Sequence, residues 1–200
     1  MIQELVQHGK AVTCAQLRID NPNENGEGEV LIKSDTLMIG YYEDEKATNE
    51  VIEIIDGERW FHAGDIGYLD EDGFLYITGR SKNVIVTQNG KNIYPEEIEL
   101  MLGSIEEIKE CMVYGKEEDG SKELVISVKV IPDYEKISEK YGNNLTEEET
   151  YKIIWEEIKK VNKKLTSYKA IKNLEIKKDE FEKTTTMKIK RFAEIAKDKK

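Results

Sequence analysis

Two hundred residues and 23.1 kDa leave room for one medium domain or two small ones. A hydrophobic share of 38%, a charged share of 36%, 3 prolines and 14 glycines describe a polar chain that can still bury a core, not a disordered one. The apolar runs are short (Val84-Ile85-Val86), the start Met1-Ile2-Gln3-Glu4 lacks a signal-peptide layout, and Cys14 and Cys111 lie far apart without a CxxC or a nearby histidine, which sets aside membrane spanning, secretion and structural zinc.

A reducing cytoplasm is therefore the expected compartment, with peripheral attachment at the inner membrane face left open. The formal charge is −11, and all of it falls in residues 1–80, which hold 17 acidic and 6 basic residues; residues 81–200 hold 24 of each. Such asymmetry fits two units with different surfaces. The stretch 183–200 carries 7 basic and 2 acidic residues, either a solvated helical tail or a positive tip that meets an anion such as a phosphate. A pI near 4.9 without a basic stripe between aromatics argues against nucleic acid.

In chain order, Glu29–Lys33 predicts a strand after the turn-rich Asn21–Gly26, and Leu37–Tyr42 predicts another. Trp60-Phe61, Ile66–Leu69 and Phe74–Ile77 continue the series, the last two joined through Asp70-Glu71-Asp72-Gly73 as a hairpin. Short strands with glycine turns suggest a small barrel or sandwich layer up to about Gly79. Beyond Arg80, Val84–Thr87 and Lys91–Tyr94 flank Gln88-Asn89-Gly90 as a second hairpin. Pro95 opens a helix with Ile98, Met101, Leu102 and Ile105 at helical spacing. Strands follow near Glu110–Tyr114 and Leu124–Ile131, turning at Lys116–Gly120. Thr146–Glu149 reads as a capping box for a helix to about Lys163, then a strand Ile171–Ile176 and a helix Lys188–Ala196. The expected class is α+β: a small β-rich subdomain at 1–80, then a compact α+β domain at 81–200 with a three-stranded sheet, flanking helices and a β-hairpin.

Three blocks carry a family resemblance. The first is Gly28-Glu29-Val30-Leu31-Ile32 with Met38-Ile39-Gly40-Tyr41-Tyr42 and Thr48. The second is Phe61-His62-Ala63-Gly64-Asp65-Ile66-Gly67, on through Asp72–Tyr76 and Gly79-Arg80-Ser81-Lys82-Asn83 to Gly90–Glu99. The third is Lys183-Thr184-Thr185-Thr186-Met187-Lys188-Ile189-Lys190-Arg191. In this order they resemble the C-terminal part of an AMP-forming acyl-CoA synthetase of the adenylate-forming superfamily. Asn162–Lys169 is most similar to the long-chain fatty-acid branch. The family's phosphate loop and acidic adenine-side motif do not occur here. The resemblance therefore implies the last subdomain of a large AMP-binding domain at 1–80, a mobile domain at 81–200, a hinge near 80–83, and an upstream N-terminal domain that these residues need as their partner.

It also implies roles. Asp65 would hold the ATP ribose hydroxyls through charge-assisted hydrogen bonds, against the plainer reading of an aspartate in a turn. Arg80 would reach a ribose hydroxyl or phosphate oxygen, or else simply close its strand. Lys82 matches the hinge position, and Gly90 lies in a loop that the family turns toward the pantetheine tunnel, although hairpin geometry alone also asks for glycine there. Lys188, on a loop in the family, would sit between the substrate carboxylate and the α-phosphate as the catalytic lysine; by composition it is one more lysine in a lysine-rich tail. Ala63 stands where the family often has Thr, Met187 where it has Gly, and Glu182 where it has Pro. His62 is expected to be a strand residue near the nucleotide, the carboxylates Glu147–Glu149 a solvated helix face, and no residue a metal ligand. The implied activity is a fatty-acid:CoA ligase using ATP with Mg2+ and then CoA, inactive as these 200 residues alone. The rivals are an adenylation domain that loads a carrier protein and a stand-alone, non-catalytic module that binds nucleotide or a partner.

Overall fold

The structure, a computed structural model, describes residues 7–87, 90–118 and 124–197. The chain forms two compact units, Met1–Val84 and Ile85–Lys200.

The first unit is one antiparallel sheet of six strands. They are β1 (Gln7–Lys10), β2 (Ala15–Asp20), β3 (Gly28–Ser34), β4 (Ile52–Ile55), β5 (Glu58–Leu69) and β6 (Phe74–Arg80). The order is β1-β6-β5-β3-β2, with β4 also on β5. The two expected pieces at Trp60 and Ile66 are one 12-residue strand, long enough to carry β4 and β6 in tandem. Their ladders stop at Phe61 and resume at Asp65. The β5–β6 hairpin closes as expected, with Asp70 Oδ1 accepting from the Asp72 and Phe74 amides.

Leu37–Tyr42 is not a strand. Its apolar residues mislead, since Ile39 and Tyr42 are each 90% exposed. The segment is instead tied side-on to the short helix α1 (Glu45–Val51), with Tyr41 N–H donating to Thr48 Oγ1, while Arg59 Nη2 donates to the carbonyls of Met38 and Ile39.

The second unit begins with the hairpin β7 (Ile85–Val86) and β8 (Asn92–Ile93); Gln88 and Asn89 of its turn lie outside the described residues. Helix α2 (Pro95–Leu102) buries Ile98 and Leu102, each worth about 1.5–3 kcal/mol of transfer energy. Strands β9 (Ile108–Glu117) and β10 (Leu124–Pro132) are antiparallel. Of the turn expected at Lys116–Gly120, Lys116 and Glu117 belong to β9, and residues 119 and 120 lie outside the described residues. The crossover holds α3 (Tyr134–Tyr141), absent from the sequence expectation though capped by Asp133, and α4 (Glu147–Asn162). The capping box at Thr146 and Glu149 forms in full. Strand β11 (Ile171–Ile176) then lies parallel to β10.

Strand β10 is central and buried on both faces. Ile126, Val128 and Val130 enter the main core with Val113, Ile98, Leu102, Ile154 and Ile158. The alternate residues point to a second cluster of Met112, Tyr114, Ile131 and Phe181, joined by Ile189 and Ile195. The C-terminal segment is thus a cover for the far face of the sheet. It ends in α5 (Arg191–Ala196), which starts at Arg191, not at Lys188 as periodicity suggests. Among the described residues no helix is long and apolar enough to cross a membrane.

Candidate functional site

In the first unit the sequence around Asp65 is bent by glycine and braced by carboxylates. Leu31 pairs with His62 and Glu29 with Ile66, so residues 63–65 of β5 stand opposite Val30 alone. This is a β-bulge, the device that re-aims side chains beside binding sites. Gly64 turns it with φ +68°, and Gly67 must lack a side chain, since a Cβ there would lie 2.3 Å from the Tyr76 carbonyl oxygen. Asp65 therefore sits on a bulge within a strand, not in a free turn.

The bulge places Asp65 directly across from Arg80, whose Nε forms an ion pair with Asp65 Oδ1 at 2.9 Å. Both remain solvent-accessible, with side chains 28% and 49% exposed. Beneath them Glu29 accepts from the Gly64 amide at 3.2 Å through Oε1 and meets His62 Nδ1 at 3.0 Å through Oε2; Glu53 meets His62 Nε2 at 3.0 Å. Burial of the imidazole opposes its charge, but Glu29 and Glu53 outweigh that and hold its pKa above the ordinary histidine value. His62 is thus a strand residue that supports the bulge. Lys82 lies exposed in the 3-10 turn Ser81–Asn83 that follows Arg80.

In the second unit Gly90 is exposed, with φ +70°, and its amide donates to the Thr87 carbonyl. Lys188 lies on a loop closed by the bridge Lys183↔Ile189. The Lys188 carbonyl accepts from the Thr184 amide at 2.8 Å and its own amide donates to Thr184 Oγ1 at 3.2 Å. The backbone is held twice, while the ammonium is exposed and has no partner among the described residues. Met187 takes φ +62°, the left-handed conformation natural to the glycine that the family has there. Glu182, in place of the family's proline, uses the amide that proline would lack: its N–H donates to Glu194 Oε1.

Three groups that sequence reasoning did not single out frame this loop. Arg191 Nη1 donates to the Val113 carbonyl at 3.0 Å and Nη2 to Glu99 Oε2 at 2.5 Å, while Glu99 Oε1 accepts the Val113 amide at 2.6 Å. Desolvation drives the Glu99 carboxyl above the usual range although Arg191 and the Val113 amide pull it down. Glu194, 1% exposed, meets Lys177 and Lys197, and its carbonyl accepts from Lys129 Nζ. The signals available in sequence were only Glu99 and Arg191 closing two of the resembling blocks. Cys111 lies against Glu99, and burial pushes its thiol up to about 12. The carboxylates Glu147–Glu149 are engaged with Lys178, Lys152 and the α4 cap. Among the described residues no three His, Cys, Asp or Glu gather to hold a metal ion.

Comparison with known proteins identifies the family. Residues 82–197 match the family model of the AMP-binding enzyme C-terminal domain. A 2-succinylbenzoate–CoA ligase of Listeria innocua is 41% identical over 115 residues, which is 58% of this chain and 22% of the relative. A long-chain-fatty-acid–CoA ligase of Rattus norvegicus is 42% identical over 95 residues, 48% of this chain and 13% of the relative. The chain thus spans about a fifth or less of these relatives. Among solved structures, the O-succinylbenzoate coenzyme A synthetase of Bacillus subtilis in complex with ATP and magnesium superposes with a TM-score of 0.70 at 25% identity, covering 93% of this chain and 35% of that one. An anthranilate CoA ligase in complex with anthranoyl-AMP shares the fold, with a TM-score of 0.73 at 23% identity over 96% of this chain and 34% of that one. The chain belongs to the AMP-binding C-terminal domain family of the adenylate-forming superfamily.

Proposed function

We propose that this chain acts as the C-terminal part of an AMP-forming CoA ligase whose acid substrate is a long-chain fatty acid. The observation that carries the ligase reading is Lys188: a lysine with a doubly fastened backbone and an ammonium without a partner among the described residues, inside the stretch that matches the family model.

In the first half-reaction a carboxylate oxygen attacks the α-phosphorus of ATP, forming a P–O bond as pyrophosphate leaves with its Mg2+. Asp65 accepts hydrogen bonds from the ribose hydroxyls and Arg80 braces its carboxylate. The Lys188 ammonium offsets the negative charge that builds where carboxylate and phosphate approach, an effect worth ~3 kcal/mol or more in a dry site. In the second half-reaction the CoA thiol attacks the acyl carbon; the C–S bond forms, AMP leaves with the carboxylate oxygen, and the thiol proton passes to solvent. For this step the second unit turns about Lys82, withdrawing Lys188 and presenting the Gly90 side toward CoA. One mobile unit then serves both steps.

The fatty-acid assignment is supported by the Rattus norvegicus relative and by Asn162–Lys169. The Listeria innocua ligase favours a second reading, in which the acid is 2-succinylbenzoate. The experiment takes the intact ligase and measures pyrophosphate release with ATP and each acid, then repeats it with Lys188→Ala. A preference for C12–C18 acids, with adenylation reduced ~100-fold or more by Lys188→Ala and thioester formation from pre-made acyl-adenylate within about twofold, supports the reading. Preference for 2-succinylbenzoate replaces the substrate, and unchanged adenylation by Lys188→Ala overturns the role of the lysine.

A further inference from the structure

The chain leaves the second hydrophobic cluster at Phe181, runs through the exposed Lys188 loop and re-enters at Ile189 and Ile195. Those apolar anchors already attach the segment to the sheet. The ring of Glu99, Arg191 and Val113 adds a different kind of contact. The Glu99 carboxylate takes the amide of Val113 and the Arg191 guanidinium takes the carbonyl of the same residue, while the two charged groups bond to each other. Glu96 Oε1 lies 3.7 Å from Arg191 Nη2 on the same side. One residue of β9 is thereby gripped from α2 and from the first residue of α5, three positions after Lys188.

A pair this enclosed is not an economical source of stability: side chains 18% and 17% exposed give up most of their hydration, and a well-packed apolar pair of equal volume commonly does as well. The raised Glu99 carboxyl is consistent with that cost. What an apolar pair would lose is direction, because the planar guanidinium fork fixes both the distance and the angle at which α5 and the preceding loop leave the sheet. The other end of the loop is fixed in the same manner, by Glu194 Oε1 accepting from the Glu182 amide and by Lys183 bonding to Glu110 at 2.6 Å.

We propose that Glu99 and Arg191 are positioning residues for adenylation: the ring they close on Val113 sets the exit angle of the lysine loop, so that the Lys188 ammonium meets both the substrate carboxylate and the α-phosphate. This rests on the adenylation role given to Lys188 above. Neither residue touches the reacting atoms; a displacement of about 1 Å at the loop is enough to slow such a step 10–100-fold.

The test uses the intact ligase and three variants: Glu99→Gln, Arg191→Lys, and the apolar double variant Glu99→Met with Arg191→Leu, beside Lys188→Ala as reference. Each is assayed for pyrophosphate release from ATP and acid, and for thioester formation from pre-made acyl-adenylate and CoA; urea midpoints are recorded alongside. The expected result is adenylation slowed about 10-fold or more in all three, thioester formation within about twofold of the parent, and the double variant as stable as the parent. Parallel loss of both half-reactions means a merely structural pair and overturns the proposal. So does normal adenylation in the double variant while Lys188→Ala is impaired. If Lys188→Ala itself adenylates normally, the lysine reading fails first, and the proposal falls with it for that separate reason.

Discussion

Asp65 and Lys188 are held in opposite ways. Asp65 sits on a bulge in the middle of a sheet, its own carboxylate paired with Arg80 and the neighbouring Gly64 amide bonded to Glu29. Lys188 sits on a loop outside any strand or helix; its backbone is fastened twice to Thr184, the flanking residues are held at Glu182 and Arg191, and its own side chain has no partner among the described residues. A group that keeps hold of one ligand gains from a fixed side chain, because the orientation entropy is lost in folding and not at binding. Under the proposed mechanism, a charge that arrives for one step and withdraws for the next gains from a rigid stem and a free tip. The difference teaches that rigidity is placed at different depths in the two units.

Four predictions can break or sharpen this contrast. The largest effect is expected at Gly67→Ala, where the new Cβ would meet the Tyr76 backbone and force β5 from β6. The cost is about 2–3 kcal/mol, read as a lowered urea midpoint in the first unit by amide exchange, with β9 and β10 unaffected. Loss in both units together would show that the units do not unfold separately. Next, Asp65→Asn in the intact ligase keeps the shape and loses the charge; KM for ATP should rise about 10-fold, as expected for charge-assisted hydrogen bonds, while the thioester step from pre-made acyl-adenylate changes less. An unchanged KM would mean that Asp65 serves only to hold Arg80.

The third prediction concerns pH. His62 is held above its ordinary value, so its contribution is complete below the unfolded histidine pKa and is lost as pH rises through the folded one. Glu107, 3% exposed, has the opposite sign: burial would raise it, but Lys140, its own backbone amide and Tyr141 bring it below the usual range. Its contribution is present above the unfolded glutamate pKa and is lost as pH falls through the lower folded one; Glu194 behaves alike, and Glu99 opposes them. Exchange protection factors should therefore fall on the alkaline side in β3 and β5 and on the acid side in β9 and β10. His62→Gln should flatten the first profile and Glu107→Gln the second, each by about 1 kcal/mol. Identical profiles in both units would refute the assignment. The smallest effect is at Met187→Gly, which relieves left-handed strain but loosens the unfolded chain, for a net gain of about 0.5 kcal/mol with adenylation unchanged. A loss would mean that the Met187 side chain itself anchors the loop.

The legible parts of the fold were those with a local cause. The Asp70–Gly73 hairpin, the Pro95 helix start, the Thr146 capping box and the Ile171–Ile176 strand all follow from residues within a few positions of one another. Leu37–Tyr42 misled because its apolar pattern lies beside a side-chain cap from Thr48, which alternation cannot reveal. The Asp133 cap of α3 and the alternation of Ala15–Asp20 were present in the sequence and went unread. The candidate site divides likewise. Asp65, Arg80 and Lys188 stood out through motif resemblance, and the Asp65–Arg80 pairing follows once the hairpin register is known. Glu29–His62 and Glu99–Arg191 join residues 33 and 92 positions apart, and only the assembled sheets bring them together.

The burial of Cys111 has a practical side. A thiol pushed up to about 12 is almost never a thiolate near neutrality, and thiolate is the form that alkylating dyes attack. Cys14, by contrast, is exposed on the first unit. These 200 residues therefore offer a single addressable handle without any substitution. A fluorophore on Cys14, paired with a second cysteine introduced at an exposed position of the second unit, would make a molecular ruler that tests, one molecule at a time, whether the proposed swing takes place.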